Sequence, residues 1–509
     1  MTLSIVREVD NLERYSLARA NAGTYINVAV GTRLRLQSKE GQHPAQLPKD
    51  SAQWLDLLVG PLTWLIQQHP ALSVVIGDRF SAKPMFLRMP FVDLAKIIRV
   101  ISINQLTELA QVLEYEHAHP FDISDFEVPL WRIVVVQVKE DGSFYLIYVF
   151  QHSIGDGRSA MSLSEQLIEQ LNIQAVKSIF VEPNLPTVVV SPNDPLPLSL
   201  EKRVDCSPRL LTLIKEATLA LLLPGFVKKG IEPKYWSGEI DATLEAPHET
   251  QVGMWHLNKV ETAQVIQAAK THSTTVNSVL FTASCFAIKA VFLSKVEEGS
   301  KPTTTSDKLS YATPVALRRL ISPPIARQDQ GSYTSELVTK NIQVDLNTEF
   351  WDLTNSYSEQ VIKGTTTPTG VQDMLEHTGL LSYLPSHAGG WEEFLRGQVE
   401  QEQHGRLATL KLSNIGKGWD QPQSVAFKVE DAIFSQSSGL TSSALTLNAA
   451  TANGILTIIG TWQKATFTSC DRAHLYLTEF KRILLEATHP ERKDYLFQES
   501  LLSNGVKSV

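Results

Sequence analysis

Cysteine is scarce in this 509-residue chain: Cys206, Cys285 and Cys470 are far apart and odd in number. They form neither a disulfide framework nor a metal site, so no metal is expected, and they read as buried structural thiols of a reducing, cytoplasmic compartment. Positive charge is thin too. No run of Lys and Arg exceeds two residues, and the net charge is −8 with a pI near 5.9. That balance excludes the basic footprint of a nucleic-acid binder. Long apolar runs are missing. The greasiest stretch, Leu219 to Phe226, is far too short to span a bilayer. With Lys228 and Lys229 beside it, peripheral contact with an anionic membrane surface is the membrane role it allows. The first ten residues carry no basic segment followed by an apolar one, so no secretory signal is expected. Neither a Gly-rich phosphate loop nor a G-x-S-x-G elbow occurs.

What is present is ordinary globular material, 43% hydrophobic and 20% charged, in a length that suits two domains. The stretch from Phe144 to Ser159, FYLIYVFQHSIGDGRS, stands out. Phe144 to Phe150 is an unbroken apolar run that predicts a buried central strand. A turn containing Gly155 and Gly157 follows, then a helix whose apolar face is Ala160, Leu163, Leu167, Ile168 and Leu171. His152 therefore stands where a rigid strand gives way to a loop, a place suited to a catalytic base. Of thirteen histidines, it alone has an Asp four residues on, Asp156, followed by Gly157. The bare H-x-x-x-D pattern is weak; the strand–turn–helix setting gives it weight.

Elsewhere, helices are expected over Trp54 to Gln67, Asn104 to Ala118, Lys259 to His272, Val276 to Leu293, Trp351 to Ile362 and Asp471 to Thr488. Strands Ile133–Val138 and Phe144–Phe150 are expected to form a hairpin over Asp141-Gly142, and Leu445–Ala449 with Ile455–Trp462 another over Asn453-Gly454. Residues 1 to 40 receive no element. Pro183, Pro186, Pro192, Pro195 and Pro197 rule out a continuous helix or central strand between Ile179 and Leu200. Tyr333 to Asp345 reads as a half-buried strand pair, Gly364 to Gly370 as a Thr-rich loop, and the last ten residues as frayed.

The motif and its surroundings resemble the chloramphenicol-acetyltransferase-like superfamily, which includes plant BAHD acyltransferases, peptide-synthetase condensation domains, wax-ester synthases and fungal alcohol acetyltransferases. Pro129-Leu-Trp-Arg132 resembles the strand that precedes the motif in these families. Thr275 to Ala283 resembles the helix opening the second half, and Ser413-Asn-Ile-Gly416 that half's S-N-x-G element. His69-Pro-Ala-Leu72, the length and the single motif histidine resemble the fungal alcohol acetyltransferases most. Wax synthases and condensation domains usually carry a second histidine where this chain has Gln151.

The resemblance implies an α/β (α+β) fold of two similar domains, each a mixed sheet flanked by helices, with a tunnel between them. The expected division is 1–185 for the half carrying the motif, 186–253 for a crossover, 254–490 for the second half and 491–509 for a tail. The implied activity is acyl-CoA-dependent O-acyl transfer to a small alcohol or hydroxylated metabolite. Acetyl-CoA is the co-substrate, no cofactor is permanently bound, and the chain is expected to be monomeric. His152 would be the general base. In such families the motif Asp points away from the imidazole and pairs with an arginine, for which Arg318 is the candidate. Gly157 serves the tight turn into the helix, and Asn414 and Gly416 brace the tunnel. Ser435 and Gln436, on an expected strand, are candidate oxyanion donors. An amine acceptor, a carrier-protein-bound donor, or a binding-only, cyclase-like descendant are the alternative readings.

Overall fold

The computed structural model describes residues 3–37, 47–122, 125–176, 186–217, 235–245, 248–295, 302–401, 405–419, 421–422 and 425–502. The apolar stretch at 219–226, Lys228 and Lys229 lie outside the described residues. Two large mixed sheets organise the chain. Their strands are β1 (Val28–Leu36), β2 (Ile98–Ile103), β3 (Trp131–Val138), β4 (Phe144–Phe150), β5 (Thr250–Leu257), β6 (Leu309–Ala316), β7 (Thr334–Ile342), β8 (Ala408–Lys417), β9 (Phe427–Gln436), β10 (Ser443–Ala452) and β11 (Ile455–Gln463).

The first sheet runs β9-β1-β4-β3-β2. The Phe144–Phe150 strand is central and buried along its whole length, as an apolar run on both faces requires. Its partners β1 and β3 are antiparallel to it, and β3 and β2 are parallel. Helix α1 (Asn11–Asn21) precedes the sheet. Helices α2 (Ser51–Gln68), α3 (Leu109–Ala118) and α4 (Gly157–Val176) flank it. Leu58, Leu62, Leu65, Leu163 and Leu167 join its core cluster.

The second sheet runs β5-β11-β10-β8-β6-β7, with β10, β8 and β6 parallel. Helices α5 (Val276–Phe292) and α6 (Cys470–Ala487) supply Phe281, Phe286, Phe480 and Ile483 to its core. The Asn453-Gly454 turn has both residues at positive φ, 50° and 77°, the geometry a two-residue hairpin favours. Strand β9 comes from late in the chain yet pairs with β1 in the first sheet. A third cluster, with Ala29 and Val134 from one sheet and Val252 and Ile459 from the other, welds the two together.

Several local expectations are corrected. Residues 1–40 contain α1 and β1, a near-central strand. Tyr333–Asp345 holds one strand, β7, on the sheet edge, so its alternation reflects one covered face. Gly364–Gly370 is not a loop: a helix runs from Phe350 to Thr366, and Thr367 Oγ1 caps a new one starting at Pro368. The threonines that suggested a loop bond back to carbonyls one turn earlier, as Thr366 does to Ile362. Residues Phe497–Leu502 are helical rather than frayed, with Phe497 and Leu501 buried in the second core. The remainder of that tail lies outside the described residues.

Candidate active site between the two sheets

Between the two sheets lies a cavity of about 680 Å³. One wall comes from α1, the His152 turn and the start of α4. The other includes Thr313 to Ala316 of β6 and Lys411 and Ser413 to Gly416 of β8. His152 lines it, half-buried, near the rings of Tyr25 and Phe150 at 6.1 and 6.4 Å between centroids. Burial is the first cause that pulls its pKa down to about 4, and the positive charge of Arg19 and, more weakly, of Lys411 acts the same way. Its own backbone carbonyl and Asp156 oppose that shift without reversing it. Nδ1 is buried. The result is an imidazole that stays neutral at any physiological pH.

Asp156 does not touch His152. Its Oδ1 accepts from the backbone N–H of Ser159 at 2.8 Å, capping α4. Its Oδ2 accepts from Arg318 Nη1 at 2.5 Å and from Tyr333 N at 3.0 Å. Burial alone would raise this carboxyl, but Arg318 and the two backbone donors hold it below the usual aspartate value. Arg318 also donates to Ser159 Oγ and lies over the Tyr333 ring. Motif and second sheet are tied here.

Gly157 has no left-handed φ, so the turn itself does not demand it. A Cβ there would come within 2.7 Å of Ile415 Cγ2 and 3.4 Å of the Phe434 ring. Close approach of β8 and β9 to the helix start is what excludes a side chain. Gly416, in contrast, has φ +81°, and a Cβ would meet Arg158 Nη2 at 2.9 Å. It sits at an irregularity in the β8–β10 pairing, where Asn414 Oδ1 accepts from the Gly416 N–H at 2.8 Å. Asn414 thereby holds the cavity wall in shape.

Of Ser435 and Gln436, only Gln436 lines the cavity. Its Oε1 accepts from Tyr25 Oη, and its Nε2 donates to Asn448. Ser435 faces His117. Asn27 Nδ2 donates to the Glu116 carbonyl, so Asn27 Oδ1 accepts from His117 Nδ1, leaving Nε2 to accept from the Ser435 hydroxyl at 2.7 Å. The hydroxyl hydrogen of Ser435 is thus committed to His117, and one of the two Gln436 Nε2 hydrogens to Asn448. Gln151 braces the loop, accepting from Ser153 N and donating to the Ser16 carbonyl.

A family model of alcohol acetyltransferases matches residues 109–477. The chain belongs to the alcohol acetyltransferase family. Membership of that family implies an acyl-CoA co-substrate. It is similar to a probable alcohol acetyltransferase, FCK4, of Fusarium pseudograminearum, 21% identical over 404 residues that cover 76% of this chain and 77% of that protein. It is also similar to a probable alcohol acetyltransferase, crmB, of Aspergillus fumigatus, 22% identical over 207 residues. That match spans 37% of this chain and under half, 43%, of the relative. Among solved structures, the trichothecene 15-O-acetyltransferase TRI3 of Fusarium sporotrichioides aligns with a TM-score of 0.63 at 13% identity, covering 94% of this chain and 95% of that one. The first condensation domain of the calcium-dependent antibiotic synthetase aligns with 0.59 at 13% identity over 98% of both chains. At such identities the likeness establishes a shared fold.

Sequence reasoning missed Arg19, Tyr25, Asn277 and Lys411, all close to the acetyltransferase's cavity or lining it. Arg19, Tyr25 and Lys411 stand in no motif, and Asn277 lies in the Thr275–Ala283 segment without being singled out there. Among the described residues no His/Cys/Asp/Glu group could hold a metal ion, and no single helix is long and apolar enough to cross a membrane.

Proposed function

We propose that this enzyme transfers the acetyl group of acetyl-CoA directly to the hydroxyl of a small alcohol or hydroxylated metabolite, with His152 as general base. The observation that carries this reading is a neutral, half-buried imidazole on the wall of a cavity of about 680 Å³ enclosed by both sheets. An alcohol is a poor nucleophile until its proton leaves. With Nδ1 buried, Nε2 is the nitrogen left to take that proton as the oxygen–acetyl bond forms. The carbon–sulfur bond then breaks, and the thiolate recovers the proton from the imidazolium. A thiol of ordinary acidity leaves without a dedicated acid, and no covalent enzyme intermediate is needed.

The test is free-thiol release from acetyl-CoA by the purified protein across a panel of alcohols and amines, beside His152→Ala. Release that needs both an alcohol and His152 is expected. Release with amines alone would replace the alcohol by an amine acceptor. No release from the folded protein with any acceptor would sink the reading.

A further inference from the structure

Two arginines line the cavity without an ion-pair partner among the described residues, and Arg19 is the one close to the base. Its guanidinium lies over the Tyr15 ring at 4.7 Å and the Tyr25 ring at 4.4 Å, and Tyr25 in turn neighbours His152. Its side-chain hydrogen bond is a long one, 3.4 Å from Nη2 to Ser16 Oγ, and Nε is buried without a partner. The nearby carboxylates are already used: Glu336 pairs with Lys411 at 3.4 Å and Asp156 with Arg318.

An unpaired cation beside a general base is costly, because it weakens the base. Here its charge helps to hold His152 acidic. A guanidinium held flat by two rings keeps its fork of N–H donors in one orientation, suited to a planar carboxylate. We infer that Arg19 recognises a carboxylate on the acceptor, so that the acceptor is a hydroxy acid whose hydroxyl reaches His152. The phosphates of acetyl-CoA do not fit this place, since the pantetheine arm holds them a full arm's length from the thioester. Arg158, the other unpaired cation, stands beside Gly416 and near Arg318, Arg319 and Arg327, with no aromatic ring holding its guanidinium among the described residues. This inference rests on the acetyl-transfer reading but is tested apart from it.

Hydroxy acids, each beside its primary amide, are offered with acetyl-CoA to the wild type, Arg19→Gln and Arg19→Lys, and both ligands are titrated calorimetrically onto each protein. The wild type is expected to prefer the acid in kcat/KM. Arg19→Gln should lose about tenfold to hundredfold in its preference for the acid over the amide. Arg19→Lys, with charge but no fork, should recover part of the loss. Equal loss toward acid and amide, no wild-type preference for the acid, or a raised KM for acetyl-CoA alone would each overturn the assignment. Arg19-dependent binding of the acid without any thiol release would uphold the carboxylate site and sink the acetyl-transfer reading. His152-dependent release with neutral alcohols, together with no difference between wild type and Arg19→Gln toward any hydroxy acid, would do the reverse.

Discussion

Arg318 Nη1 and Asp156 Oδ2 meet at 2.5 Å with side chains 7% and 1% exposed, and they join the cap of α4 to the exit of β6. The carboxylate accepts from Arg318, Ser159 and Tyr333 and makes no hydrogen bond to the imidazole among the described residues. Removing one partner of a buried pair leaves the other charge uncompensated, at about 3–5 kcal/mol. Asp156→Ala should therefore unfold at much lower denaturant concentration and give poor soluble yield. Turnover per folded molecule should change far less, as chemical denaturation beside active-site titration would show.

His152→Ala removes the only histidine on the motif and touches no cap or ion pair. A loss of at least about 10²-fold in kcat/KM is expected, the lower scale for a general base. The thermal midpoint and far-ultraviolet spectrum should stay at wild-type values.

Acid should act on both rate and stability. His152 titrates near pH 4 in the folded protein, so kcat/KM should be flat from about pH 6 to 8 and fall only well below that range. An unfolded histidine takes its proton near pH 6.5, whereas folded His152 and His117 wait until about 4 and about 3. The unfolded state binds more protons in that window, so stability is full above about pH 6.5 and declines as pH falls toward 4. Asp156, with a lowered folded pKa, adds acid loss below the usual carboxylate range. Thermal midpoints measured from pH 8 to 4 should decline monotonically. A midpoint that rose on acidification would contradict the burial of both imidazoles.

Ser435→Ala distinguishes bracing from catalysis. It strands His117 Nε2 in a buried site, at about 1–3 kcal/mol. With its hydroxyl hydrogen on His117, Ser435 contributes nothing to an oxyanion. A variant that is less stable but retains wild-type kcat is the expected result.

Gly157→Ala places a methyl 2.7 Å from Ile415 on the cavity wall. Overpacking of this kind costs about 1–3 kcal/mol. Because β8 forms that wall, a raised KM should accompany the drop in thermal midpoint.

The sequence by itself determined what local chemistry controls. An apolar run on both faces had to be a covered strand, and Asp141-Gly142 and Asn453-Gly454 had to turn. An amphipathic stretch after Gly157 had to be a helix lying on that strand. His152 and Asp156 were legible because the motif is contiguous. The threonines of 364–367 misled because propensity yields to packing and capping when neighbouring helices hold the segment. Gly157 was recognised for a turn that its backbone does not need, since the atoms that exclude a Cβ lie more than 250 residues away.

Only the tertiary structure decided which distant residues share the cavity. Arg19 on α1, Tyr25 in the loop after it and Lys411 on β8 share no common pattern, and the return of β9 to pair with β1 brings the sheets together. That same return turns Ser435 toward His117 rather than toward the substrate, because strand register sets which face each side chain occupies. Spacing along the chain carries no record of such contacts. Burial, charge and register do.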